Sequence, residues 1–535
     1  MRNALIALLL AAAPLHTQAA PVARLGLVCA NGPSFDLTAS SGYIETPDGN
    51  SILMWSYGAS AFQSPGPVLC VDQGDTVTVR LHNALPDPVS IVFPGQQAVT
   101  GTGAAGLLAP EAPPGGDATY TFTASEPGTY LYESGSDPAK QVEMGLYGAL
   151  IVRPAGHADH AYDAATMFDP KREYLLLLSD IDPDLHHAVE TGAAYDFDTL
   201  RSRYFAINGR QFPDTVQDNG VAWLPHQPYG ALVRVKPYDA TTNPLPALIR
   251  MINVGALNHP YHPHGNHLRQ IGQDGRKLAT STEHFAETIA SGQTLDYLFT
   301  WADQDAWDAA GNPLPASVAN PDYRSLTFTN GNTWSSGSAY LGAKGTLPSG
   351  TATHNICGEW YYPWHSHALN EFANFDASFG GMATLLRVDP PQGCSSVAGS
   401  ATILSGTLRS GTAAALAAAD SGYYQVNAAG SGADWYGGFA GVPAAATALT
   451  ATYTGRNSVA GRPTTLWYWR WPSSTWVQLG APATIGTSDV TLTRPVPADA
   501  IGTAANQGKV RIRVQTTGTA FYTQANLLKL TYDAP

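Results

Sequence analysis

Charge is scarce in this chain. Asp, Glu, Lys and Arg together make up 13% of its 535 residues, and the 28 basic side chains are outnumbered by 42 acidic ones, for a formal net charge of −14. No basic run occurs anywhere. Nucleic acid and anionic membrane surfaces would therefore be repelled, and neither is expected as a partner. Long apolar runs are also missing. The one near the start, Ala4 to Ala13, is too short to span a bilayer, and no later segment qualifies, so no membrane span is expected. Cysteine is limited to Cys29, Cys70, Cys357 and Cys394. The 53 glycines and 39 prolines point instead to a β-rich chain with many turns and few surface helices.

The length exceeds one ordinary core, so two or three domains are expected. Residues 1–20 read as a signal peptide: Arg2 supplies a positive start, the apolar run follows, and Thr17-Gln18-Ala19 offers small residues for cleavage. The mature chain is expected to be exported, to the periplasm or the extracellular space. An even cysteine count in an oxidising compartment suggests two disulfides. Four cysteines allow three pairings. Cys29–Cys70 with Cys357–Cys394 is favoured, because it keeps the bridges local to the proposed domains.

Residues 21–160 read as a first domain of strands and turns. Thr76 to Leu81 alternates with period two, and Gly128–Tyr132 and Gly148–Arg153 are two further strands. Residues 161–393 repeat these ingredients in the same order: Leu232–Val235, Leu248–Asn253, a histidine run, Trp360–His365 and Gly381–Val388. This reads as an internal repeat of one β-sandwich. An insertion at about 301–358 interrupts the second copy. Residues 394–535 form a third β-sandwich module, poor in lysine and without histidine.

Two histidine runs carry the chemistry: His259-Pro-Tyr-His262-Pro-His264-Gly265 and Trp364-His365-Ser366-His367. On a strand, side chains i and i+2 share a face. His262 with His264, and His365 with His367, can thus direct four imidazoles into one small volume. Neutral imidazole suits copper and zinc. His284 and His354 could approach the same site through loops. His157, His160, His186, His187 and His226 fall in linkers, where solvent exposure is the default reading.

The first run resembles the His-Pro-x-His-x-His-Gly motif of multicopper oxidases, and Gly145–Val152 resembles a strand of that family's first domain. The likeness covers roughly residues 60–390. It implies an all-β fold: two cupredoxin-like Greek-key β-sandwich domains, followed here by the C-terminal β-sandwich. In the family these folds hold a blue type 1 copper, where substrate is oxidised, and a trinuclear cluster, where O₂ is reduced. This chain departs from that pattern. Val92, Pro94, Glu133 and Gly135 stand where the first domain normally carries four histidines. Ser366 stands where the family has the type 1 cysteine, and no histidine follows His367. His259 remains, and Met382 could be the old axial ligand.

The expectation is one mononuclear, type 2-like copper, with another divalent ion as the alternative, in the second cupredoxin-like domain. Its ligand set is drawn from His262, His264, His365, His367 and His259, with Glu133 directed from the first domain if the ancestral geometry survives. Two roles fit: oxidoreductase activity on a small-molecule substrate, or non-catalytic copper binding, buffering or scaffolding. A third reading places the activity in the C-terminal module. There, Trp467, Trp469 and Trp471 alternate along one strand, as a buried ladder or, with Trp435 and Tyr436, as an exposed aromatic platform for a polysaccharide or cell-surface ligand.

Overall fold

The computed structural model describes residues 25–301, 324–327, 333–336, 360–375, 377–378, 380–389 and 393–533. The proposed signal peptide, Cys357, His354 and most of the proposed insertion lie outside the described residues. The chain forms two compact units, residues 1–233 with 245–299 and 363–385, and residues 234–244 with 300–362 and 386–535. Among the described residues no helix is long and apolar enough to cross a membrane.

Strand is the dominant regular element of the first unit, because its β-branched and aromatic side chains alternate with polar ones between Gly- and Pro-rich turns. In its first sandwich, β1 (Ser34–Glu45), β2 (Ser51–Gly58), β3 (Thr76–Asn83), β4 (Thr100–Thr102) and β5 (Asp117–Thr123) make one sheet in the order β2-β1-β3-β5-β4. Along β3, Val77, Val79 and Leu81 turn inward onto Phe35, Leu37, Tyr120 and Phe122. The opposing sheet is built from the strands Leu69–Asp72, Tyr147–Arg153 and Gly128–Glu133. Cys29 and Cys70 are joined by a disulfide, with Cα atoms 5.6 Å apart, as expected. It clamps the short strand Ala30–Asn31 onto Leu69–Asp72.

The internal repeat is visible in the sheet order. In the second half, β6 (Glu173–Ile181), β7 (Tyr204–Ile207), β8 (Ala247–Asn253), β9 (His259–Pro263), β10 (Leu268–Gln273), β11 (Glu287–Ile289) and β12 (Thr294–Phe299) follow. Five of these, with the strand Arg276–His284 added at the far edge beside β10, make a six-stranded sheet whose first five strands are ordered β7-β6-β8-β12-β10. The four contacts among these five run antiparallel, parallel, antiparallel and antiparallel. The first-half sheet β2-β1-β3-β5-β4 has the same sequence of senses. An order containing one parallel pair at the same position is a Greek-key feature that two unrelated sheets would seldom share.

The second sheet of this half carries the histidines. β9 lies between β11 and β13 (Trp360–Ser366), with β14 (Ala383–Val388) on the far side of β13. A buried core of Val68, Leu131, Tyr147 and Ile151 from the first sandwich with Leu175, Leu177 and Ile252 from the second welds the two halves together.

In the second unit, residues 394–533 form another two-sheet sandwich. One sheet includes Tyr424–Asn427, Tyr522–Asp533, Thr447–Asn457 and Val490–Pro495, and the other Gly432–Phe439, Val510–Thr517, Arg462–Arg470 and Thr475–Ile485. Leu466 and Tyr468 point into its core beside Trp435, which is fully buried. Trp435 therefore cannot join an exposed platform. Trp467, Trp469 and Trp476 lie half-buried on the outer face, and Trp471 follows just past the strand end. Tyr436 and Trp476 meet at 5.5 Å between ring centroids. Arg511 sits over Trp469 and Trp471 and Arg513 over Trp467, so the tryptophans interleave with guanidinium groups.

Candidate metal centre

β9 and β13 pair antiparallel, with His262 directly opposite His365 and Pro263 opposite Trp364. Side chains on opposed residues share a face, and period-two alternation then adds His264 and His367 to it. The four rings gather as that geometry requires. Ring centroids lie 4.5 Å apart for His262–His264, 5.2 Å for His262–His367, 5.3 Å for His264–His365 and 5.8 Å for His365–His367. The alternate residues Tyr261, Trp364 and Ser366 are buried on the inner face. The histidines thus stand on the outer face of the sheet, with His367 exposed and the other three half-buried.

The backbone holds the strand ends in place. His264 N–H donates to the Pro363 carbonyl at 3.2 Å and His367 N–H to the Pro260 carbonyl at 2.7 Å. The fully buried Trp364 indole donates to the His264 carbonyl at 2.8 Å.

The imidazoles are oriented by backbone carbonyls. Nδ1–H of His262 donates to Phe285 O, and that of His365 to Ser366 O, each at 2.7 Å. A proton fixed on Nδ1 leaves Nε2 as the lone pair, which is the usual outer-shell support of a metal-bound imidazole. Nε2 of His365 lies 3.3 Å from Nε2 of His264. Two nitrogens each ~2.05 Å from one ion in a tetrahedral arrangement are roughly 3.3 Å apart. Burial, reinforced by the neighbouring imidazoles, pushes His264 down to about 4. Burial also lowers His365, with His262 and His367 adding to the effect against the Ser366 carbonyl. Both are therefore neutral near pH 7, the form a metal requires.

His259 is placed elsewhere. Three residues before His262, it points to the inner face, where it is fully buried. Its Nδ1 lies 2.9 Å from Glu371 and its Nε2 3.5 Å from Asp180. Burial alone would lower its pKa, but the hydrogen bonds to Asp180 and Glu371 outweigh it and raise the ring to about 9. An imidazolium held between two carboxylates has no lone pair for a metal. Ser366 donates its hydroxyl to the same Glu371. Where the resembled family places a thiolate, this chain thus has a serine–carboxylate–imidazolium network, with the fully buried Met382 receiving Ser366 N–H on its carbonyl at 3.0 Å. Neither Glu371 nor Asp180 was singled out by the sequence; Asp180 near the end of the apolar run Tyr174–Leu178 is the one local hint that a polar group is buried there.

Glu133 stands in the first sandwich, on a strand outside the sheet that carries the histidines. It ends the strand Gly128–Glu133 and forms a backbone bridge with Val92, with N···O distances of 2.8 and 3.2 Å. The two segments that would carry first-domain ligands therefore do lie side by side. They present Val92, Pro94, Glu133 and Gly135 instead, and Val92 and Pro94 line a cavity of about 310 Å³ with Phe93 and Leu108. Burial raises the Glu133 carboxyl. Among the described residues no hydrogen bond or ion pair joins Glu133 to the four histidines. His284 is engaged by Thr282 at 2.8 Å and Glu287 at 3.5 Å.

Comparison with known proteins bears on this chain in parts. Residues 48–157 match the family described as multicopper oxidase. Copper resistance protein A of Escherichia coli is 31% identical over 162 residues, covering 29% of this chain and 25% of that protein. Laccase-3 of Oryza sativa subsp. japonica is 30% identical over 251 residues, 44% of this chain and 39% of the laccase. The chain thus spans between a quarter and two fifths of the length of these two relatives. The blue copper oxidase of Nitrosomonas europaea aligns with a TM-score of 0.45 at 21% identity, over 66% of this chain and 85% of that one. The segment that matches the multicopper oxidase family model is the one that holds Val92, Pro94, Glu133 and Gly135, so the likeness to that family rests on residues 48–157.

Proposed function

We propose that this protein binds one mononuclear, type 2-like copper through His262, His264, His365 and His367. It would act as an exported oxidoreductase on a small substrate. The observation that carries the reading is the approach of His264 Nε2 and His365 Nε2 to 3.3 Å across β9 and β13, with His262 and His365 each oriented by a backbone carbonyl. Three or four neutral imidazoles suit Cu(II) before other first-row divalent ions, with Zn(II) next. Bound copper would supply one-electron chemistry. The chain itself supplies the rest. Phe285 and Ser366 carbonyls hold the Nδ1 protons away from the metal face, Phe372 packs on His365 at 4.8 Å, and the exposed outer face leaves room for a substrate.

The same residues argue against laccase-type turnover. The first-domain positions offer no imidazole for a trinuclear cluster, and Ser366 offers no thiolate for a blue copper. Export to the periplasm or beyond is supported by the leader-like start and by the Cys29–Cys70 disulfide, which an oxidising compartment sustains.

Titrating Cu(II) into the metal-free protein tests the ligand set. Wild type should bind tightly and His264→Ala with His365→Ala should not; equal affinity in both would overturn it. A copper-buffering role with no turnover is the second reading, favoured if copper binds and no small reductant is consumed. For the C-terminal module, the half-buried tryptophan face favours polysaccharide binding. Trp469→Ala should then reduce retention on insoluble polysaccharide.

A further inference from the structure

We propose a second metal site, built from His157, Asp159 and His160, which takes one divalent first-row ion and prefers Cu(II) over Zn(II). It shares no residue with the four-histidine face and does not depend on it.

These three residues lie in the connection between the strand Tyr147–Arg153 and β6. A tight turn brings them together: His157 N–H donates to the Pro154 carbonyl at 3.0 Å and His160 N–H to the His157 carbonyl at 3.1 Å. The turn returns His160 to the same side as His157. Their rings stack with centroids 4.6 Å apart and planes within 5°. The Asp159 carboxylate stands 3.8 Å from His160 Nε2. One ligand atom from each of the three lies within 4.8 Å of the other two. Among the described residues this is the one group of three His, Cys, Asp or Glu side chains whose ligand atoms come within that distance of one another.

The turn is anchored, so the ligands are not merely a chance encounter on a loose loop. Phe168 N–H donates to the Asp159 carbonyl and Ala161 N–H to the Thr166 carbonyl, each at 3.0 Å, and His160 forms an antiparallel bridge with Met167. Ala161, Tyr162 and Phe168 then pack into a small core with Leu248, Ile271 and Leu298. The nearby cation is offset: Arg153 reaches the Ala158 carbonyl at 3.5 Å, but its guanidinium is held by Glu173 at 3.2 and 2.7 Å.

The donor set decides the ion. Two imidazoles and one carboxylate favour Cu(II), then Ni(II) and Zn(II), over Ca(II) or Mg(II), which want oxygen throughout. Three protein ligands leave positions for water. With His157 exposed and Asp159 and His160 only partly covered, the ion should exchange with solvent. That suits an accessible copper-acquiring site rather than a structural one. A pair of stacked imidazole rings that binds nothing is the competing account.

Equilibrium dialysis of the full-length, metal-free protein against Cu(II), and separately against Zn(II), separates the accounts. Wild type should hold two Cu(II) per chain, H157A/H160A one, and H262A/H365A one. Asp159→Asn replaces a carboxylate ligand by a neutral amide and should weaken the second ion by at least ~10-fold, with the first unchanged. If H157A/H160A binds as many ions as wild type, with the same affinities, the proposal fails. If H262A/H365A loses nothing while H157A/H160A loses one ion, the four-histidine reading fails and this one stands. Circular dichroism checks that the variants fold. If H157A/H160A does not fold, Zn(II) titration of wild type followed by NMR decides: shifts of the His157 and His160 ring protons support the site, and unmoved resonances overturn it.

Discussion

Nε2 of His264 and Nε2 of His365 lie 3.3 Å apart across two antiparallel strands, each ring held neutral by burial and by the other imidazoles. That pair is the centre of the copper reading, and it makes a sharp distinction among the histidines. Removing either ligand should weaken Cu(II) binding by more than the ~10–100-fold that loss of an outer-shell partner costs. Glu133→Gln and His259→Gln should leave it within about twofold of wild type. Isothermal titration on the four variants checks the order.

Ser366 lies between His365 and His367 in sequence but on the opposite face. Ser366→Ala removes its hydrogen bond to Glu371 and should destabilise the fold by about 1.5–3 kcal/mol, as expected for a buried bond to a charged group. Copper affinity should not change. Denaturant unfolding and copper titration on the same variant test the separation of the two faces.

His259 makes stability depend on alkaline pH. Its folded-state pKa, raised to about 9, exceeds the ~6.5 of an unfolded histidine. Its contribution is fully present below about 6.5 and is lost as pH rises through about 9. The size is of the order of 3 kcal/mol. Thermal midpoints of the metal-free protein should fall over that window, and His259→Gln should flatten that part of the profile.

Glu143 adds a second slope at lower pH. Burial first, then Asp180, raise it to about 8, against the hydrogen bond from Asp182 N–H at 2.6 Å. A carboxyl with a raised folded pKa stabilises most when both states are protonated. That stability is lost as pH rises from about 4.5 to about 8. Glu143→Gln keeps the acceptor for Asp182 N–H, so it should match wild type near pH 5, exceed it above pH 8 and remove the slope between.

The Cys29–Cys70 bridge closes a sequence separation of 41 residues. Chain entropy alone values such a loop at about 4 kcal/mol. Reduction, or Cys70→Ser, should lower stability by an amount of that order, measured by chemical denaturation with and without reductant.

The pattern of the site was legible because strand alternation is a strict rule. Parity in His262-Pro-His264 and His365-Ser366-His367 placed four rings on one face. The same rule sends His259, three residues from His262, to the other face; motif likeness had grouped it with the ligands, and geometry separates it. The repeat of the first sandwich was read from strand-like segments in the same order, and five strands of one sheet in each half follow the same order of strand senses. Glu371 and Asp180 were not legible, because their roles depend on which elements pack against β9. Glu133 could not be placed either, since the direction of its side chain depends on packing that strand alternation does not encode. For the tryptophans, alternation correctly sent Trp467 and Trp469 to a common face. It could not tell that guanidinium groups from Val510–Thr517 would interleave with them.

The most direct test is pulsed electron paramagnetic resonance on the protein loaded with one equivalent of Cu(II), in wild type and in H264A/H365A. The account predicts a type 2 spectrum with couplings from three or four imidazole nitrogens, no intense blue charge-transfer band, and loss of that spectrum in the variant. An intense blue band, or a wild-type spectrum that survives removal of His264 and His365, would contradict it.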